Sequence, residues 1–129
     1  MSMIIKKISS WQGLHKALDF SRNEAHWVYR GQSNAEWGLI PKIGRPPYKG
    51  ADKTERYAFD FWVRECSSGI DSKLKTNIEL LSIGQHHGLA TRLLDWSYSP
   101  LSAAYFAALN CNGTDSALYM YKTDQIITK

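Results

Sequence analysis

Cysteine is scarce: the 129 residues hold only Cys66 and Cys111, far apart and without the paired spacing that a zinc site or a disulfide framework requires. They read as buried or idle thiols, in keeping with a reducing cytoplasm. No apolar run approaches the roughly 18 residues that span a bilayer, so no membrane partner is expected. The start, Met1-Ser2-Met3-Ile4-Ile5-Lys6-Lys7, inverts a signal peptide, in which charge precedes a longer apolar stretch. Three catalytic templates are also missing: a glycine-rich phosphate loop, a Gly-x-Ser-x-Gly elbow and a His-Glu-x-x-His helix. His86 and His87 are neighbours, about 100° apart on a helix, so they cannot share one metal, and no metal is expected. The net charge of +4 comes from 16 basic and 12 acidic residues. Lysines at 6, 7, 42, 49, 53, 73 and 75 are scattered, as on an ordinary solvated surface, although the excess would help attract an anion.

Aromatic residues are abundant instead, with five Trp, seven Tyr and four Phe to build a core of single-domain size. Periodicity predicts the order β-α-β-β-α-α-β-α-β, an α+β or mixed α/β chain. Met3 to Ile8 reads as a short strand. Ser9 or Ser10 caps a helix with Trp11, Leu14, Leu18 and His15 on one face. From Ala25 the period is two and delivers Arg30 to a strand end, just before Gly31. Trp37 to Ile40 resembles a second strand, stopped by Pro41, and 43–53 a loop. Asp52 and Glu55 form a plausible capping box for a helix over 54–68, with Tyr57, Ala58, Phe61, Trp62 and Cys66 as its core face. A further helix starts after Thr76 or Asn77 and stops at Gly88. Thr91 to Leu94 is a candidate strand. Ser99-Pro100 opens a helix whose stripe is Leu101, Ala104, Tyr105 and Ala108. Asn112-Gly113 turns the chain into a last strand over 116–122. The strands at 25–32, 91–95 and 116–122 are expected to share one sheet, with Arg30 and Asp95 facing one cleft.

Two stretches could carry chemistry. Arg30 is a planar donor suited to phosphate or carboxylate, Gly31 lets a ligand approach the main chain, and Gln32 adds an amide. The plainer alternative is an arginine paired to a surface acid beside a turn glycine. In the second stretch, Gln85 and His86 lie at a helix end, where His86 either lines a cleft or caps the helix. Thr91-Arg92-Leu93-Leu94-Asp95-Trp96 sets two charges in an apolar segment, which is costly unless they pair or serve a ligand. Arg92 and Asp95 could pair with each other, Asp95 could cap the next turn, and Trp96 could stack a base or fill core.

Taken together, Tyr29-Arg30-Gly31-Gln32-Ser33-Asn34 with Trp37, Leu39 and Pro41 resembles the first motif of the FRG domain of bacterial and phage proteins. Gln85-His86-x-Gly88-Leu89-x-Thr91-Arg92-Leu93-Leu94-Asp95-Trp96, then Ser99-Pro100-Leu101 and Ala104-x-Phe106-Ala107, resembles its second. The likeness covers roughly residues 10–122. Tyr29 replaces the phenylalanine of the family's name, His87 an aromatic and Ala90 a proline. Residues 27–33 are also similar to the ADP-ribosyltransferase strand that ends in His-Gly-Ser or Arg-Gly and holds the nicotinamide side of NAD.

The resemblance implies a single FRG-type domain over 1–129, of α+β fold, with a central mixed or antiparallel sheet, flanking helices and an ADP-ribosyltransferase-like architecture. It implies ligand-binding residues Arg30, Gly31, Gln32, Gln85, His86, Thr91, Arg92, Asp95 and Trp96, with NAD as the substrate and a nucleic acid or protein as acceptor, within a toxin or phage-defence protein. Such transferases carry a catalytic glutamate on a late strand, and no glutamate here sits on a strand end facing Arg30. The chain is therefore expected to be the N-terminal portion of a longer protein, inactive alone. A second reading makes it a non-catalytic module that recognises nucleic acid or protein.

Overall fold

Ser10 stands in extended backbone, and its hydroxyl accepts the Gly13 amide at 3.1 Å, which opens helix α1 (Trp11–Leu18). The computed structural model describes residues 4–21, 26–49, 52–66, 76–110 and 113–123. Leu18 is buried and Leu14 half-buried, as their i, i+4 spacing predicts. Trp11, expected on the same face, is 64% exposed and sets its ring edge-on to His15. Residues 4–8 form no strand, and Ile4 and Ile5 are exposed; Met3 lies outside the described residues.

Strand β1 (Trp27–Gln32) pairs antiparallel with β2 (Ala117–Lys122), Trp27 opposite Lys122 and Gln32 opposite Ala117. Alternation puts Trp27, Tyr29 and Gly31 on one face and Val28, Arg30 and Gln32 on the other. On the first face Tyr29 joins Leu18 and Ala103 in the core, with Leu14, Trp27, Leu118 and Met120 packed against it. The expected start of this strand at Ala25 falls outside the described residues.

Ser99 caps helix α4 (Pro100–Ala108) by accepting the Ser102 amide at 3.2 Å, with Pro100 in the first turn. The buried face of α4 is Ala103 and Ala107, rather than the expected stripe of Leu101, Ala104, Tyr105 and Ala108. Gly31 explains the choice. A Cβ there would sit 1.8 Å from the Ala103 carbonyl oxygen and 2.6 Å from the Ala107 amide nitrogen. Only a hydrogen on the strand and methyl groups on the helix allow backbones this close.

Helices α2 (Asp52–Cys66) and α3 (Asn77–His86) form the other main packing pair. α2 begins two residues before the predicted start. Its half-buried positions are Ala58, Phe59, Trp62 and Val63, while Tyr57 and Phe61, expected in the core, are exposed. Thr76 and Glu79 make a full capping box at the start of α3, with the Thr76 amide donating to Glu79 Oε2 at 2.7 Å. The helix ends at His86 with His87 as its C-cap, and Gly88 turns the chain at φ +95°.

Residues 37–40 are irregular rather than a strand, with the Ile40 amide donating to the Gly38 carbonyl at 2.7 Å. Residues 91–95 are not a strand either, so the expected three-stranded sheet is two-stranded among the described residues. Just beyond, Ser97 exchanges two 2.8 Å hydrogen bonds with Tyr29, a single antiparallel bridge. The architecture is α+β, with four helices and a small antiparallel sheet among the described residues. Contacts cluster in two units: Met1–Glu36 with Trp96–Lys129, and Trp37–Asp95.

Candidate functional site

The expected site residues divide between the two units: Arg30, Gly31, Gln32 and Trp96 in the first, and Gln85, His86, Thr91, Arg92 and Asp95 in the second.

In the first unit, β1 carries Arg30 on the face opposite the Tyr29 core, with Tyr119 as its cross-strand partner. Arg30 is half-buried and its Nε is shielded from water, so the guanidinium is held rather than trailing in solvent. The open side of Gly31 is filled by α4, so the close approach its missing side chain permits is a helix backbone. Gln32 is buried, at 4% exposure. Trp96 is partly exposed and leans on Tyr121 across 6.4 Å between ring centroids.

In the second unit, the polar side chains form a directed chain. Thr91 is fully buried. Its hydroxyl oxygen accepts the Leu93 amide at 3.2 Å, and its proton goes to Gln85 Oε1. With the amide oxygen so engaged, Gln85 turns its Nε2 to Asp95 and donates to Oδ1 at 2.5 Å. Asp95 itself is exposed. A buried hydroxyl thus orients an amide, and the amide orients a carboxylate at the surface. His86 lies exposed at the last turn of α3, edge-on to His87.

Of the alternatives open to it, Arg92 does not take the pairing with Asp95. It is bound by Glu55, 37 residues earlier on α2: Nη2 meets Oε2 at 2.6 Å, and Nε reaches both carboxylate oxygens at 3.2 and 3.0 Å. The Arg92 backbone amide also donates to Glu55 Oε1 at 2.9 Å. Glu55 is buried while the arginine side chain is largely exposed. Hydrogen bonding from Arg92 holds the Glu55 carboxyl below its usual value, against the opposing pull of desolvation, and the same bond raises Arg92.

These contacts also explain the lost strand. The amides of Arg92 and Leu93 go to the side chains of Glu55 and Thr91, so they are not offered to a neighbouring strand. Glu55 was legible only as a capping residue. Its second signal is positional: it precedes Ala58, Phe59 and Trp62 by one and two turns and so shares their inward face.

A shallow groove of about 600 Å³ runs along α2 and α3, lined by residues such as Phe59, Val63 and Leu80. None of the expected site residues lines it. Among the described residues no three His, Cys, Asp or Glu side chains are grouped as a metal would need. No described helix is long and apolar enough to cross a membrane.

The family model of the FRG domain matches residues 25–116. No curated protein and no solved structure matches the chain.

Proposed function

The chain belongs to the FRG domain family, and from that premise we propose that it binds a nucleotide of the NAD type and is related in fold to the ADP-ribosyltransferases. The observation that carries this reading is the Thr91–Gln85–Asp95 chain. Each hydrogen bond in it has one direction, and it ends in an exposed carboxylate with one oxygen already oriented. Such a group accepts hydrogen bonds from hydroxyl groups, which is what a ribose presents. Loss of Arg92 to Glu55 leaves Asp95 as the charged group of this segment turned to this use.

In the first unit, Arg30 is the proposed anion contact, a planar fork at the strand position where the resemblance to the transferases lies. Gln32 and Trp96 of the first unit, and separately His86 of the second, are kept as proposed contacts on the resemblance alone. The match extends across residues of both units, which supports reading the chain as one FRG-type domain. A cytoplasmic place is supported by the isolated cysteines, and a part in a toxin or phage-defence protein by the family resemblance.

Thermal unfolding with and without NAD tests the reading. A ligand at about 100 times its Kd stabilises the folded state by about 2.7 kcal/mol. The wild type should show that upward shift in Tm, and Asp95→Asn should lose most of it while melting normally without ligand. No shift in the wild type overturns the proposal.

A further inference from the structure

The loop from Trp37 to Lys49 holds Lys42, Arg45 and Lys49, and no Asp or Glu falls between Glu36 and Asp52. Counting lysines alone hides this concentration, since Arg45 sits at its centre. The cations are interleaved with exposed rings: Trp37 is 48% and Tyr48 36% exposed. The Arg45 guanidinium lies 5.9 Å from the Trp37 ring centroid, and Lys42 Nζ 5.8 Å from that of Tyr48. Both cations are tethered, Arg45 Nε to the Ile40 carbonyl at 2.7 Å and Lys42 Nζ to the Gly88 carbonyl at 2.8 Å. The Tyr48 and Lys49 amides both donate to the Arg45 carbonyl, which folds the loop into a turn. Leu39 and Ile40 are also exposed beside Trp37.

We infer that this loop is a binding surface for single-stranded nucleic acid. Each ring-and-cation pair matches the two parts of a nucleotide, a flat base to stack and an anionic phosphate to neutralise. A duplex hides its base faces, so exposed rings favour the single strand. An acidic peptide would use the cations but leave Trp37 and Tyr48 idle. The surface shares no residue with the proposed nucleotide site, so either can fail without the other.

The test is fluorescence anisotropy with labelled oligo(dT) and oligo(rU) of roughly 12 nucleotides, within the usual reach of one binding fold. A duplex of equal length is the comparison. The wild-type chain should bind the single strands at least about tenfold more tightly than the duplex, through stacking that a duplex denies. Arg45→Gln with Lys49→Gln should weaken binding about tenfold or more, and the slope of log affinity against log salt should fall by about 0.7 for each cation removed. Trp37→Leu should weaken binding about fivefold or more without changing that slope, as lost stacking does. Lys6→Gln with Lys7→Gln, which removes equal charge elsewhere, should have little effect. If Trp37→Leu fails to fold by circular dichroism, the exposed Lys49→Gln alone supplies the slope. No binding by the wild type, equal affinity for the duplex, or an equal loss in the Lys6/Lys7 variant overturns the inference.

Discussion

The hydroxyl of Tyr29 is buried, and Ser21 makes that burial tolerable. Tyr29 donates to Ser21 Oγ at 2.7 Å, and Ser21 in turn donates to the Leu18 carbonyl at 2.8 Å. A polar atom that would otherwise be stranded in the core is therefore satisfied. This accounts for the one departure within the motif that names the family, since tyrosine here has a partner that phenylalanine would not need. Tyr29→Phe should cost about 1 kcal/mol in urea unfolding, the usual worth of one neutral hydrogen bond. In a Ser21→Ala background the same change should be nearly neutral, because the partner is already gone. Thr91 gives a parallel case at the site. Thr91→Val keeps the shape but removes the donor to Gln85, and it should weaken NAD binding through a disordered Asp95.

Among the elements, the contact between β1 and α4 rests on one missing side chain. Gly31→Ala must push Ala103 and Ala107 away from the strand, and overpacking of this kind costs about 3 kcal/mol at the upper end of its usual range. Chemical denaturation should show that loss with or without ligand, which separates a packing role from a ligand role. The Glu55–Arg92 link carries a pH signature. The folded Glu55 carboxyl lies below its ordinary 4.5 because Arg92 donates to it. Its contribution is therefore full above that value and is lost as pH falls through the lower folded value. Glu55→Gln should be less stable than wild type at about pH 7, and the gap should narrow as pH falls below 4.5. A constant gap would contradict the assignment.

Local signals made much of this legible. Ser9 or Ser10, Thr76 or Asn77, and Ser99-Pro100 mark the helix starts to within a residue, and Gly88 marks an end, while Glu79, which completes the box at Thr76, is seen only in the structure. The alternation in β1 and β2 was equally local. What failed depended on distant partners. Residues 91–95 look like a strand until Glu55 and Thr91 take their amides. The face of α4 is not legible in its own periodicity because Gly31, on a distant strand, selects Ala103 and Ala107. Arg92 and Asp95 were recognised as charges needing partners, but the spacing could not show that Glu55 takes one and Gln85 engages the other.

At the scale of the molecule, the chain belongs to the FRG domain family and its contacts cluster in two units, each holding part of what the motifs suggested. Two of its glutamates have structural work, Glu55 on Arg92 and Glu79 at the cap of α3. As a prediction of the proposed function, NAD should bind without release of nicotinamide, and radiolabelled NAD would reveal any release. The central claim is binding itself, through a carboxylate ordered by Gln85. Calorimetric titration of the 129-residue chain with NAD measures it directly. The account predicts saturable heat for the wild type and affinity about tenfold or more weaker in Asp95→Asn, the loss expected for a hydrogen bond to a charged group. Absence of saturable heat, or equal affinity in the two proteins, would contradict it.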